Sequence, residues 1–285
     1  MFELEYYDNL ENIQIKSSGI TLDVSVAAKY ENACRTLENF IYLIDRFKII
    51  RSCAEDLYSV NTVEKDYWKV NKALLNYVNA VYSFKELSNG FIPPIKPLTE
   101  KYYQKCKWYR FVCDFRNSVI HDSIISTNYD KEEAYIIIDR LIDIQKHRKV
   151  RKNQEKNKKR QIAYLEHMKK NAKYIDGKYY YGIKQICKET STELEEMEKQ
   201  LIIDVYSRSI ISELEWLFSI LYKNDENYMY TFIVNKEIGP KSVCEPNYLL
   251  ENFYIKIKET LGENSEMFCE LKKLFHAKGY INFFG

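Results

Sequence analysis

Arg116, Asn117 and His121 are the residues of this sequence whose types and spacing fit a reaction; they stand in Asp114-Phe115-Arg116-Asn117-Ser118-Val119-Ile120-His121-Asp122. A histidine with an ordinary pKa of about 6.5 moves protons at neutral pH. Arginine stays charged and offers a planar fork to two phosphate oxygens. An asparagine amide beside them can orient the imidazole or a substrate. A set of this kind can serve phosphoryl transfer, and one reaction open to it is RNA cleavage without a metal. A base takes the 2′-hydroxyl proton, an acid protonates the leaving oxygen, and a cation offsets the charge gathering at phosphorus. The structural alternative is an Arg116 paired with Asp114 or Asp122, and a His121 that closes a helix at its negative pole.

Helical geometry limits what one copy of the motif can do. Asn117 and His121, four apart, share a face, while Arg116 lies about 100° round from Asn117 and about 140° from His121. One such helix grips a phosphate poorly. Two of them packed antiparallel about a twofold axis would pool two arginines and two histidines in one cleft.

The elements that must position these residues are helical. Tyr30, Ala33, Leu37, Ile41, Ile44 and Phe47 recur at steps of three and four, which predicts a first helix over about 24–52. Leu74, Tyr77, Val78, Val81 and Phe84 stripe a second, from after Asn61 to about Leu87, closed by Asn89-Gly90. Pro93, Pro94 and Pro97 then predict a non-helical link. A third helix, from about Thr99 to Asp122, carries the motif, with Tyr102, Cys106, Tyr109, Val112, Cys113 and Val119 as its apolar positions.

Residues 134–144 fit strand or helix. A hairpin over Tyr174–Ile183 turns at Asp176-Gly177. A long helix follows, with Thr192 and Glu195 as its capping box and Leu194, Met197, Leu201, Val205 and Leu217 as core. Met229–Val234 reads as a short strand, and two closing helices split near Gly262.

On these residues the chain resembles the HEPN superfamily over roughly 24–145. In that family an Arg is followed after four to six residues by a His, and the residue after the Arg is commonly polar, often Asn. Two upstream helices and a motif-bearing third suit its bundle. The resemblance implies Arg116, Asn117 and His121 as catalytic residues, a composite site at a homodimer interface, and a 2′,3′-cyclic phosphate product. It also implies a toxin or phage-defence role, with an antitoxin or regulatory protein as partner. The alternative within the family is a non-catalytic scaffold that partners a nucleotidyltransferase. In some such pairs a tyrosine shortly after the His is modified; here Asp122, Ser123 and Ile124 follow, and the next tyrosine is Tyr129.

The expected fold class is therefore mainly α: a helical bundle, a mostly helical C-terminal extension and a few short strands. The stretch 146–160 holds nine Lys or Arg and one acid. It is read as a basic connector or helix between domains 1–145 and 161–285, with Lys149, Arg151, Lys152, Lys158 and Lys159 as RNA contacts.

Composition sets the remaining bounds. Of 285 residues, 46% are hydrophobic and 29% charged, which is enough to bury a core. Net charge is only +2, so affinity for RNA must come from a local patch. The seven cysteines are scattered without a C-x-x-C pair, which predicts reduced, mostly buried thiols and no zinc site. No cofactor motif is present: there is no Gly-rich phosphate loop, G-x-S-x-G or H-E-x-x-H. His147, His167 and His276 read as surface histidines. Met1–Asp8 has no apolar signal core, and no run is long enough to span a bilayer. The expectation is a cytoplasmic protein without membrane contact.

Overall fold

The apolar spacing that opens the chain becomes one long helix. In the computed structural model α1 runs Val24–Ser59, and Tyr30, Leu37, Phe40, Ile44 and Phe47 along it are buried. The structure describes residues 4–10, 13–22, 24–60, 67–88, 95–121, 128–129, 133–152, 155–221, 232–235, 239–243 and 246–277. Side chains are described over 28–60, 68–86, 99–116, 133–152, 155–207, 209–219 and 249–277. The Asn89-Gly90 helix end, Pro93 and Pro94 lie outside the described residues. The fold is mainly helical, and among the described residues no helix is long and apolar enough to cross a membrane.

The chain divides into two compact units, residues 1–44 with 199–285 and residues 45–198. The basic stretch 146–160, expected to mark a domain boundary, falls inside the second unit, because its helix packs on the one before it.

The first unit holds the sheet of β1 (Leu4–Leu10), β2 (Ile13–Leu22), β7 (Phe232–Asn235) and β8 (Gly239–Val243), in which β2 and β7 are parallel. Its helices are α8 (Ile211–Leu221), α9 (Pro246–Leu261) and α10 (Glu266–Ala277), with part of α1 and the end of α7 (Ile183–Val205). Aromatic pairs fill the core: Phe40 on Phe253 at 5.7 Å and Phe218 on Phe275 at 5.1 Å between centroids. The closing helices part at Gly262, and Ser265 Oγ caps α10 by accepting the Phe268 amide at 3.2 Å.

The second unit carries the motif. Its helices are α2 (Tyr67–Ser88), α3 (Ile95–Lys105), α4 (Lys107–His121), α5 (Ile138–His147) and α6 (Glu155–Met168). Its sheet runs β3 (Asn128–Tyr129), β4 (Ala134–Ile137), β6 (Lys178–Gly182), β5 (Lys173–Ile175), all antiparallel. The ambiguous 134–144 segment resolves as strand followed by helix. The hairpin turns at Asp176-Gly177 as expected, with φ of 47° and 75°, the left-handed pair a tight two-residue turn requires.

Three boundaries differ from the sequence reading. First, α3 begins at Ile95, and Pro97 sits in its first turn, where a missing N–H costs no hydrogen bond. Second, the expected single motif helix is two helices broken at Cys106. The amides of Lys107, Trp108 and Tyr109 bond the Glu193 carboxylate of α7 at 3.0, 2.8 and 2.9 Å. They are thus withdrawn from the carbonyls one turn back, and the carbonyl of Gln104 accepts Arg110 Nη1 at 3.1 Å. Third, α7 begins at Ile183, not at a Thr192–Glu195 box. Glu133 caps it by accepting the amides of Lys184 and Gln185 at 2.9 and 3.3 Å. A Cβ on Gly182 would stand 2.1 Å from that carboxylate, so only glycine lets the cap reach its amides. Thr192 bonds back to the Lys188 carbonyl from inside the helix.

Candidate functional site on helix α4

Helix α4 packs chiefly against α2. Tyr109, Val112, Cys113 and Phe115 are buried along it, and Arg116 follows at the edge of that core, half-buried. Burial pushes the Cys113 thiol up to about 12, which keeps it neutral and inert as a nucleophile.

Two residues of α2 hold Arg116. Its Nε donates to Asn79 Oδ1 at 3.3 Å, and its guanidinium carbon stands 4.5 Å from the centroid of the Tyr82 ring. Burial raises the Tyr82 hydroxyl pKa, and a hydrogen bond to Glu86 adds to this, while the Arg116 charge pulls the other way. The Asn79 and Tyr82 contacts orient the guanidinium. Asp114 accepts the Tyr103 hydroxyl at 3.0 Å, and burial together with that carboxylate holds the Tyr103 proton tightly.

Asn117 and His121 belong to the last turns of α4; their side chains lie outside the described residues. The helix sets their rows. Positions 117 and 121 follow Arg110 and Asp114 by seven residues each, so all four fall in one row with Lys107, on a different side from Arg116.

Glu193 fixes the other end of α4. Burial raises its pKa although three amides favour the ionised form. The site helix thus starts on a carboxylate from α7 and ends on the Arg-x4-His motif.

The basic residues named from sequence lie elsewhere in the unit. Lys149, Arg151 and Lys152 are exposed on the link between α5 and α6, and Lys159 is exposed on α6. Lys158 is half-buried and donates to the Arg148 carbonyl at 2.8 Å, so it closes the link as well as adding charge. His147, His167 and His276 are exposed. Among the described residues no group of three or more His, Cys, Asp or Glu is placed to hold a metal ion.

Sequence reasoning missed Asn79, Tyr82 and Glu193. The i, i+3 pairing of Asn79 and Tyr82 marks a polar edge on α2, but nothing local ties it to Arg116. No family model, curated protein or solved structure matches the chain.

Proposed function

We propose that this chain is a metal-independent, HEPN-like endoribonuclease. The 2′-oxygen attacks phosphorus, the bond to the 5′-oxygen breaks, and the products are a 2′,3′-cyclic phosphate and a free 5′-hydroxyl. His121 takes the 2′-hydroxyl proton and passes a proton to the leaving 5′-oxygen. Arg116 offsets the charge on the phosphoryl oxygens, and Asn117 orients the imidazole. The exposed cations Lys149, Arg151, Lys152 and Lys159, with Lys158, draw the RNA in. The working unit is a homodimer, because one helix places Arg116 and His121 on different sides. The reading assigns the protein to the cytoplasm as a toxin or phage-defence effector held in check by a partner protein.

The observation that carries the reading is Arg116 itself: a half-buried guanidinium set by Tyr82 and Asn79 on the helix that bears His121. Preorganised charge of this kind is what phosphoryl chemistry rewards. The test mixes Arg116→Ala and His121→Ala chains, each inactive alone. Recovery of cleavage in the mixture, with sedimentation as a dimer, supports a shared site. A fully active monomer contradicts it. Two variants that both cut at the wild-type rate leave the scaffold reading, in which Arg116 only packs α4 on α2.

A further inference from the structure

A second cluster of cations lies on the opposite side of α4 from Arg116. Between α4 and α6 a shallow groove, open to solvent, is lined by Lys107, Arg110, Asp114, Arg160, Gln161 and Tyr164. Both arginines converge on Gln104: Arg110 Nη1 donates to its backbone carbonyl at 3.1 Å and Arg160 Nη1 to its side-chain oxygen at 3.2 Å. Arg160 Nε is shut off from solvent and has no hydrogen-bond partner among the described residues. A buried donor left without a partner is unfavourable, so a small turn of the Arg160 side chain toward an acceptor in the groove would be favoured.

Asp114 accepts from Tyr103, and Glu193 accepts three amides of α4. Lys107, Arg110 and Arg160 outnumber Asp114, the carboxylate of the same lining, so the groove keeps a net positive charge that favours an anion. Guanidinium forks suit the tetrahedral oxygens of phosphate.

The surroundings point to a polymer as the source of that phosphate. The α4 row through Lys107, Arg110 and Asp114 continues to positions 117 and 121, and Arg110 to position 121 is about 16 Å at 1.5 Å per residue. On the other wall, Lys156 lies one turn before Arg160 and, like Lys159, is exposed. Tyr164, packed edge-on against Trp108 at 5.7 Å, gives the groove an aromatic wall on which a base can rest.

We infer that this groove binds a backbone phosphate of the RNA a few nucleotides from the scissile bond, through Arg110, Arg160 and Lys107. The inference rests on the nuclease reading of α4 and adds a substrate-positioning subsite to it.

The test is the affinity of the full-length chain for a short single-stranded RNA methylated at every 2′-oxygen, which cannot be cleaved by 2′-attack. In Arg110→Gln/Arg160→Gln the affinity should fall roughly tenfold or more, and the salt slope should become shallower by about 0.7, the single-strand value for one phosphate. Arg110 also closes the α3–α4 break, so Lys107→Gln, a change at an exposed residue, serves as a second variant, with a smaller loss of affinity and slope in the same direction. Unchanged affinity and slope in both variants would overturn the inference. So would wild-type binding of inorganic phosphate as tight as that of RNA, or equal displacement of RNA by poly-glutamate. Loss of binding in the variants, with wild type unable to cut unmodified RNA, would keep the groove and remove the nuclease. Unchanged binding, with a His121→Ala chain unable to cut, would do the reverse.

Discussion

The guanidinium carbon of Arg116 stands 4.5 Å from the centre of the Tyr82 ring, and its Nε bonds Asn79 one turn away on the same helix. Under the nuclease proposal this relationship makes Tyr82 a positioning residue. A cation–π contact is worth about 0.5–2 kcal/mol according to its exposure. Tyr82→Ala should therefore slow single-turnover cleavage by roughly two- to thirtyfold. Tyr82→Phe, which keeps the ring, should stay near wild type. Arg116→Lys should not restore the loss seen in Arg116→Ala, because an ammonium lacks the fork. A Tyr82→Phe rate as low as that of Tyr82→Ala would show that the hydroxyl, not the ring, matters.

Glu193 and Asp139 should give opposite dependences of stability on pH. Glu193→Ala removes the acceptor for three amides and should cost about 1–2 kcal/mol in urea unfolding, with Glu193→Gln losing less. Burial holds the Glu193 pKa above its ordinary 4.5. The folded state then binds more protons than the unfolded one, and the stability difference between wild type and Glu193→Gln should shrink as pH rises above 4.5. For Asp139, burial acts upward, but the Lys169 hydrogen bond at 2.7 Å and the Tyr179 amide at 2.8 Å outweigh it and lower the pKa below 3.8. Its contribution relative to Asp139→Asn should be full above 3.8 and vanish as pH falls through the lowered value. Parallel pH slopes for the two pairs would contradict this.

Charge on the link between α5 and α6 should act on binding and not on chemistry. Neutralising Lys149, Arg151, Lys152 and Lys159 together should weaken RNA binding and flatten its salt dependence, with cleavage at saturating RNA intact. Lys158→Gln should in addition lower stability, since its ammonium bonds the Arg148 carbonyl. Equal effects of all five on the saturated rate would place these residues in the reaction instead.

What could be read in the sequence follows how local each signal is. Tyr30 to Phe47 on α1 and Leu74 to Phe84 on α2 are buried as their spacing predicts, because a helical stripe is written within a few turns. The turn at Asp176-Gly177 is equally local. The break at Cys106 was hidden because its cause, Glu193, lies 86 residues after Lys107. The true start of α7 was hidden for the same reason, its cap being Glu133, and Thr192 imitated a cap from inside the helix. At the site, the Arg116 and His121 spacing was legible, while the Tyr82 and Asn79 cradle depends on how α2 meets α4. The row of Lys107, Arg110 and Asp114 was readable at steps of three and four, but its meaning required Arg160 from α6 across the groove.

The most direct test of the nuclease claim is product-end analysis of single-stranded RNA incubated with the full-length protein in EDTA, wild type beside His121→Ala. The account predicts 2′,3′-cyclic phosphate and 5′-hydroxyl ends from wild type, and a rate about 10²–10⁴-fold lower for the variant, the usual size of a general acid–base contribution. Cleavage only on addition of a divalent metal, ends without cyclic phosphate, or an undiminished rate in His121→Ala would contradict it.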